Sequence, residues 1–208
     1  MEAVFDSFLE IDLSVFQWIQ SIQNPILNAI MVDITTLGNA GAIFIVLGFV
    51  LLFTKKYRKA GLTVLVALIV MLLCNDLFLK EFFARIRPFD LFASNPQKYA
   101  EWGTEYVFPN LVYKPTSYSF PSGHTASAFA AAMAVLWYNR KIGVPTFIFA
   151  AIMGFSRIYV QVHYCSDVIA GLITGTICGL FAVLIVRFFY PIVDNGLNSL
   201  FVKLKKTD

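Results

Sequence analysis

The chain has 208 residues, of which 58% are hydrophobic and only 14% charged, and its formal net charge at pH 7 is +3. A soluble domain averages about 25% charged residues, so this composition excludes an ordinary soluble enzyme. The small positive charge does not argue for a nucleic-acid partner. Three cysteines without metal-ligand spacing argue against a disulfide framework and a zinc site. Several apolar stretches reach the roughly 20 residues that cross hydrocarbon, which predicts one membrane-embedded domain over residues 1–208.

The chain begins with an amphipathic segment. Residues 1–22 combine apolar side chains such as Phe5 with acidic ones such as Asp12, a pattern typical of a helix that lies in the membrane interface. A short, partly polar helix is predicted at 25–37, and the sequence leaves open whether these two pieces form one crossing or a half-inserted hairpin. Clear apolar helices follow at about 40–54, 60–84, 122–138, 144–160 and 164–189. The expected fold is an all-α, polytopic membrane bundle of about six helices with an amphipathic N-terminal helix.

Basic residues in the short loops predict the orientation of the bundle. The run at 55–59, the pair at 140–141 and the tail at 203–206 all fall on one side of the predicted helices. By the positive-inside rule this side is cytoplasmic. The opposite, extracytoplasmic side receives the loop at 88–120 and the joint between the last two helices. The predicted location is therefore the cell (plasma) membrane, with several crossings.

The long loop at 88–120 is rich in proline and aromatic residues. Its prolines forbid a continuous helix, and its aromatic rings suit the headgroup layer. The sequence leaves two interpretations open, a connector that rests on the membrane and a lid over a binding site. The loop's aromatic residues include Tyr99, Trp102, Tyr106, Phe108, Tyr113 and Tyr118.

Small residues mark a close helix contact near the C-terminus. Gly171, Gly175 and Gly179 recur every fourth residue of the last apolar helix. Such a stripe lets another helix approach closely. The pattern favours a contact within the chain over a dimer seam, and an oligomer is possible but has no support in the sequence.

Three charged or histidine-containing clusters lie at the ends of apolar runs. A Lys or Arg at the bilayer centre costs roughly 2.5–3.5 kcal/mol on insertion scales. These side chains must therefore lie at a water interface, in a shared pocket or opposite an anion. The clusters are Lys80 with Arg87-Pro88, Pro121-Ser122-Gly123-His124, and Ser156-Arg157 with His163 and Asp167.

The first cluster predicts two aligned cations. On a continuous helix Lys80 and Arg87 lie two turns apart on one face, and Pro88 would end that helix with Arg87 at its exposed lip. Together they would hold a multiply charged anion. An ion pair between Lys80 and Asp76 is the alternative. Arg85 is expected to point elsewhere and to reach the membrane interface.

The second cluster opens a helix. Pro121 suits a first helical turn, and Gly123 allows a ligand close to the backbone. Free N–H groups and the positive end of the helix dipole favour an anion at such a start, where Ser122 would add a hydroxyl and His124 a titratable proton. An ordinary helix start with a surface histidine is the alternative for this tetrapeptide alone.

The third cluster pairs a histidine with a carboxylate. Asp167 lies four residues after His163, so it can accept from one ring nitrogen and fix the tautomer of the other. This arrangement orients an imidazole as a nucleophile or base. Arg157 can offer a bidentate fork to phosphate. His124 and His163 are the only histidines of the chain, and both fall on the same predicted face.

The three clusters together resemble the three-part signature of the type 2 phosphatidic acid phosphatase family. Every defining position is present and in order between residues 80 and 167. The resemblance implies a phosphatase that needs no metal or other cofactor and works through a phosphohistidine. Its implied catalytic residues are His163, His124 and Asp167, and its implied phosphate-binding residues are Lys80, Arg87, Ser122, Gly123 and Arg157.

In this family scheme His163 attacks phosphorus while Asp167 holds its ring. His124 protonates the leaving oxygen and then activates water. Fixed cations supply the charge neutralisation that phosphoryl transfer requires. Because the two histidines need opposite protonation states, a bell-shaped dependence of activity on pH is expected.

The expected substrate is a membrane lipid phosphate or diphosphate, cleaved at the extracytoplasmic face. Small members of the family resemble undecaprenyl-diphosphate phosphatases, and phosphatidylglycerophosphate or phosphatidic acid is the alternative substrate, since the motifs bind phosphate and not the tail. Two other classes of protein fit the clusters less well. A transporter would spread its charges near the midplane of several helices, and a non-catalytic lipid-phosphate binder would not need an oriented nucleophile.

Overall fold

The computed structural model of the protein describes residues 2–94 and 110–204, and for residues 2–4 and 192–204 it describes the backbone alone. Within these ranges the chain forms helices and no strands. A π-helical segment, Leu72–Leu79, joins the fourth helix to the fifth. The predicted all-α bundle is confirmed. Its helices are α1 (Glu2–Ile22), α2 (Pro25–Leu37), α3 (Ala42–Phe53), α4 (Arg58–Met71), α5 (Lys80–Phe83), α6 (Pro88–Ser94), α7 (Gly123–Tyr138), α8 (Arg140–Tyr159) and α9 (Cys165–Leu204).

Three helical stretches of the described chain are long and apolar enough to cross a membrane, namely Arg58–Ser94, Arg140–Tyr159 and Cys165–Pro191. The helices α2 and α3 have the length and hydropathy of a fourth span when taken together, although they are bent by 49° at the turn between them. The helix at 25–37 thus pairs with α3, and the bend is compatible with a broken span or with a re-entrant loop, so the choice between a crossing and a half-inserted hairpin stays a prediction.

The helix α7 forms the centre of the bundle and packs against α4, α8 and α9. Its alanines are fully buried, which lets the neighbouring helices approach closely. A Cβ atom added at Gly171, Gly175 or Gly179 would meet a backbone oxygen of α7 or of the residue before it. The predicted close contact within the chain is confirmed, and it fixes α9, which carries Asp167, against the start of α7.

The amphipathic helix α1 buries one of its faces inside the protein. Leu13, Phe16 and Ile19 are buried and belong to a core that also contains Tyr159 and Tyr164 from the end of α8 and the joint after it. The acidic Asp12 is only 1% exposed. The apolar face of this amphipathic helix therefore packs on the joint between α8 and α9.

The basic loops and the charged clusters lie at opposite ends of the bundle. The Lys59 ammonium group sits 5.8 Å from the ring centre of Tyr138 at the end of α7 and 5.0 Å from that of Tyr190 late in α9. The start of α4, the end of α7 and this part of α9 therefore meet at one end. The start of α7 and the joint between α8 and α9, which carry the second and third clusters, form the other end.

The loop after α6 is described only in part. Residues 95–109, which include Tyr99, Trp102, Tyr106 and Phe108, lie outside the described residues. The short helix α6 ends at Ser94, and residues 110–122 contain no helix. Tyr113 is 88% exposed. The choice between a connector and a lid stays a prediction.

Candidate active site

The three clusters meet around one cavity of about 710 Å³. Segments that are distant in sequence contribute to it: α5, the non-helical residues 84–87, the first turn of α7, the last turn of α8 and the joint after it. Six of the eight residues predicted for the site line this cavity, and these are Lys80, Arg87, Gly123, His124, Arg157 and His163.

Lys80 forms the ion pair that the sequence offered as an alternative. Its Nζ lies 2.5 Å from Oδ1 of Asp76, one turn earlier. Both side chains line the cavity, so the pair is compatible with a role for Lys80 at a bound anion. A Cβ atom at Gly123 would lie 2.9 Å from Oδ1 of Asp76 and 3.1 Å from Nζ of Lys80. A glycine is therefore needed where α7 begins beside this pair.

The predicted alignment of Lys80 and Arg87 on one helix face is wrong. The helix ends at Phe83 because Ala84 adopts a left-handed conformation (φ 45°), and residues 84–87 are not helical. Pro88 begins the next helix, α6, and does not terminate the previous one. Lys80 and Arg87 therefore line the same cavity from different segments, α5 and the non-helical residues after it. Arg87 is buried, at 4% exposure, and does not lie at an exposed helix end.

Arg87 is held rigidly beside His163. Its Nε donates to the carbonyl oxygen of Ser117 at 2.6 Å, and its Nη1 donates to the carbonyl oxygen of Val162 at 2.8 Å. The same Nη1 lies 3.3 Å from Nε2 of His163. A guanidinium group therefore stands directly next to the ring nitrogen that faces the cavity.

His163 and Asp167 form the predicted pair. Nδ1 of His163 lies 3.3 Å from Oδ2 of Asp167. The same oxygen accepts hydrogen bonds from the Tyr164 backbone N–H at 3.0 Å and from the Ser119 hydroxyl. Because Nδ1 is directed at the carboxylate, Nε2 is the ring nitrogen that can react with a ligand in the cavity. Asp167 itself is fully buried behind the ring.

His163 lies in the joint between α8 and α9, and its charge is disfavoured there. Burial lowers the pKa of the His163 imidazole well below its ordinary value, and the nearby charges of Arg87, Arg157, Lys80 and His124 lower it further. The neutral ring, which is the nucleophilic form, is therefore the stable one in the free site.

The second cluster starts α7, but Pro121 lies before the first turn and not in it, because Ser122 is the N-cap and Gly123 the first helical residue. The two polar side chains of the cluster have different positions. Nε2 of His124 lies 3.1 Å from Oδ1 of Asn39, in the turn between α2 and α3, and the ring lines the cavity. The Ser122 hydroxyl is buried and accepts from Oγ1 of Thr125 at 3.0 Å. Ser122 does not belong to the described lining of the cavity, so its contact with phosphate stays a prediction.

Arg157 brings a buried cation to the cavity from the last turn of α8. Its Nη1 donates to Oγ1 of Thr35 on α2 at 2.5 Å, while its Nε has no hydrogen-bond acceptor among the described residues. In the described part of the chain, neither Arg157 nor Arg87 forms an ion pair with a carboxylate. Unpaired buried cations are costly, so this arrangement favours an anionic ligand. Across residues 2–94 and 110–204, no three His, Cys, Asp or Glu side chains form a group suited to a metal.

Sequence reasoning missed the role of Arg85. The prediction that it reaches the membrane interface is wrong, because Arg85 is only 7% exposed. Its Nη1 lies 2.6 Å from Oδ1 of Asp167 and its Nη2 lies 3.0 Å from Oδ2 of Asp12. The left-handed turn at Ala84 directs the chain inward at this point, and an alanine gives no sequence signal for such a turn, since alanine is the best helix former.

Comparison with known proteins identifies the family. The model of the PAP2 superfamily matches residues 59–191, a region that contains all three clusters and most of the bundle. The chain belongs to the PAP2 superfamily. The family predicted from the clusters is thus confirmed, and with it the prediction of a phosphatase.

This PAP2 protein is similar in sequence or in fold to three phosphatases with different names. It is 32% identical over 178 residues to the undecaprenyl-diphosphatase BcrC of Bacillus subtilis, covering 84% of this chain and 82% of that protein. It is 29% identical over 178 residues to a lipid A 4'-phosphatase of Porphyromonas gingivalis, covering 83% and 72%. A crystal structure of a transmembrane PAP2 type phosphatidylglycerolphosphate phosphatase from Bacillus subtilis has a TM-score of 0.63 at 23% identity, covering 85% of this chain and 84% of that one. This last likeness concerns the fold.

Proposed function

We propose that this PAP2 protein removes a phosphoryl group from a membrane lipid phosphate or diphosphate at the extracytoplasmic face, through a phosphohistidine on His163. Undecaprenyl diphosphate is the proposed substrate. The observation that carries the proposal is the composition of the cavity of about 710 Å³, which has cations and histidines at one end and apolar walls at the other. A lipid phosphate has the same division between a charged headgroup and an apolar tail.

The apolar part of the cavity lies between α3 and α4. Phe49 and Ile69, on opposite sides of this cleft, are 47% and 59% exposed, so the cleft opens sideways at the surface that would contact the bilayer. A tail could remain in hydrocarbon while the headgroup reaches the cations. The apolar lining includes Ile45, Phe49, Leu65, Leu68, Ile69 and Leu72.

In the first proposed step, Nε2 of His163 uses its lone pair to form a bond to phosphorus. The bond between phosphorus and the leaving oxygen breaks, and that oxygen takes a proton from His124. The Nδ1–H of His163 stays directed at Asp167 and stabilises the positive charge that develops on the ring. Lys80, Arg87, Arg157 and the Gly123 amide bind the remaining phosphoryl oxygens.

In the second step, His124, now neutral, takes a proton from a water molecule. The resulting hydroxide attacks phosphorus, and the electron pair of the phosphorus–nitrogen bond returns to Nε2 of His163. Inorganic phosphate leaves, His163 is neutral again and His124 carries its proton. Side-chain cations supply the neutralisation of oxygen charge in this scheme, so it requires no metal ion.

The choice of substrate is supported by the relatives and by the orientation of the bundle. The relative that is 32% identical is an undecaprenyl-diphosphatase. The basic loops lie at the end of the bundle opposite to the cavity, and by the positive-inside rule the cavity then faces the extracytoplasmic side. Phosphatidylglycerophosphate and phosphatidic acid are the competing substrates.

The test is phosphate release by the purified protein in detergent with a chelator present. Undecaprenyl diphosphate, phosphatidylglycerophosphate and phosphatidic acid are compared side by side, with His163→Ala as the inactive control. We expect turnover that resists the chelator and the highest kcat/KM with undecaprenyl diphosphate. Loss of activity with the chelator overturns the metal-free scheme, and a higher kcat/KM with either phospholipid overturns the choice of substrate.

The pH dependence of kcat/KM should report the lowered pKa of His163. Because the neutral ring attacks, activity on the acid side of the pH profile falls when His163 gains a proton. The lowered pKa therefore places the acid limb, the fall of kcat/KM at low pH, below pH 6.5. Arg87→Gln removes the cation nearest to the ring and should move the acid limb to higher pH, whatever its effect on the rate. An acid limb at or above the ordinary histidine value, or one that Arg87→Gln does not move upward, contradicts the assignment.

A further inference from the structure

A chain of buried charges connects the N-terminal helix to the histidine–aspartate pair. The guanidinium group of Arg85 bridges Asp12 on α1 and Asp167 on α9, at 3.0 Å and 2.6 Å. Asp12 is 1% exposed and Asp167 is fully buried. Burying three charges is costly unless each one is paired and hydrogen-bonded, and this bridge satisfies that condition.

Arg85 binds one carboxylate oxygen of Asp167 and leaves the other oxygen to different donors. It occupies Oδ1, which leaves Oδ2 for Nδ1 of His163, the Tyr164 N–H and the Ser119 hydroxyl. The rotation of the carboxylate about its last bond is thereby fixed. The direction of the His163 ring depends on that rotation, because its contact with Asp167 is 3.3 Å long and has little freedom before it is lost.

Asp12 fixes Arg85 in turn and ties it to α9. Its Oδ1 accepts from the Ser166 backbone N–H at 3.0 Å and its Oδ2 from the Ser166 hydroxyl at 2.7 Å. The Arg85 guanidinium is also enclosed by two aromatic rings, with Cζ 4.5 Å from the ring centre of Phe5 and 3.8 Å from that of Tyr164. The helix α1 thus contributes both a carboxylate and a ring to the surroundings of Arg85.

We propose that Asp12 and Arg85 are positioning residues of the phosphatase, which hold Asp167 and through it His163 in the orientation for attack on phosphorus. The inference rests on the proposed role of His163. It extends the catalytic apparatus to α1, which lies before the region that the family model matches. The N-terminal helix is accordingly a part of the active site's support and not only a membrane anchor.

The first variant is Asp12→Asn, which keeps the size of the side chain and an oxygen for the Ser166 N–H while removing the charge opposite Arg85. We expect kcat to fall roughly tenfold to a hundredfold, the range that a small misplacement of a reacting group costs. KM should change little, because the cations that bind phosphate are untouched. Glu10→Gln is the matched control, since it removes a carboxylate from an exposed position of the same helix and should leave kcat unchanged.

A double-mutant cycle separates positioning from mere stability. If Asp12 acts through Arg85, Asp12→Asn should reduce kcat much less in an Arg85→Gln background than in the wild type. Rates are normalised to the folded fraction, and Arg85→Lys, which keeps the charge but not the fork, serves if Arg85→Gln does not fold. A wild-type kcat in Asp12→Asn, or effects of the two variants that multiply independently, overturns the inference.

The same assay distinguishes this inference from the proposed function. His163→Ala is measured beside the positioning variants with the same lipid. If His163→Ala is inactive while Asp12→Asn has wild-type kcat, the positioning role alone is overturned. If His163→Ala retains turnover, the proposed nucleophile is wrong and the positioning role falls with it.

Discussion

Replacing His163 by alanine is expected to reduce the rate of phosphate release on the order of 10⁴-fold or more, the scale seen when a covalent nucleophile is removed. The reason is geometric, because the His163 ring lines the cavity together with the cations predicted to bind phosphate, and its Nε2 lies 3.3 Å from Nη1 of Arg87. In the wild-type protein, rapid quenching with labelled substrate should trap an acid-labile phosphoryl group on this residue. The measurement combines single-turnover release with detection of the labelled histidine.

The variant should remain folded, which keeps the experiment interpretable. When the ring is removed, Asp167 still accepts from the Ser119 hydroxyl, the Tyr164 N–H and Arg85, so no unpaired buried charge is created. His163→Ala should also retain competitive binding of inorganic phosphate, because the three cations are unchanged. Turnover close to that of the wild type, or a trapped phosphoryl group on His124 instead, would rule out His163 as the nucleophile.

Local sequence signals were sufficient to find six of the residues that line the cavity. Each of the three clusters combines charged and histidine side chains that can bind or attack phosphate. The cost of burying charge in a membrane made a shared pocket one of three places open to them. The i, i+4 spacing correctly predicted the contact of His163 with Asp167. The glycine stripe correctly predicted the close approach of two helices within the chain.

The missed features depend on contacts between distant segments. Arg85 meets Asp12 across 73 positions of the sequence, and periodicity in either segment carries no information about the other. Arg157 contacts Thr35, and His124 contacts Asn39, both from the bent pair of α2 and α3. The sequence could not place this pair, because its first half is too polar to be assigned as a crossing by itself.

The error at Arg87 has a different origin. Helical periodicity assumes that the helix continues to the proline, and no glycine or asparagine near residue 84 suggests an earlier end. The N–H of the left-handed Ala84 keeps the last local helical bond, to the carbonyl oxygen of Lys80. The next residue is held by a distant segment, since the Ser119 N–H donates to the carbonyl oxygen of Arg85 at 2.8 Å. Tertiary contacts override the local helix propensity here.

The substitution Arg157→Lys should lower kcat/KM by roughly 10²-fold, comparable to the loss of one strong donor to a developing oxyanion. The charge is retained, so the expected loss comes from the guanidinium fork. Arg157 can donate from Nε and Nη2 at once to two phosphoryl oxygens while Nη1 stays bound to Thr35, whereas lysine is a single point of charge on a flexible stem. Steady-state kinetics with undecaprenyl diphosphate measure the effect.

The matched control is Arg140→Lys, the same exchange at the exposed first residue of the same helix, α8. It lies at the opposite end of the bundle and should leave kcat/KM unchanged. Because the Nε of Arg157 has no acceptor among the described residues, binding of inorganic phosphate should also weaken in Arg157→Lys. Equal kcat/KM in Arg157→Lys and wild type would show that its charge alone matters, and equal losses in both variants would trace the effect to α8 packing. Either result contradicts a bidentate contact, since that contact requires both the fork and its position at the cavity.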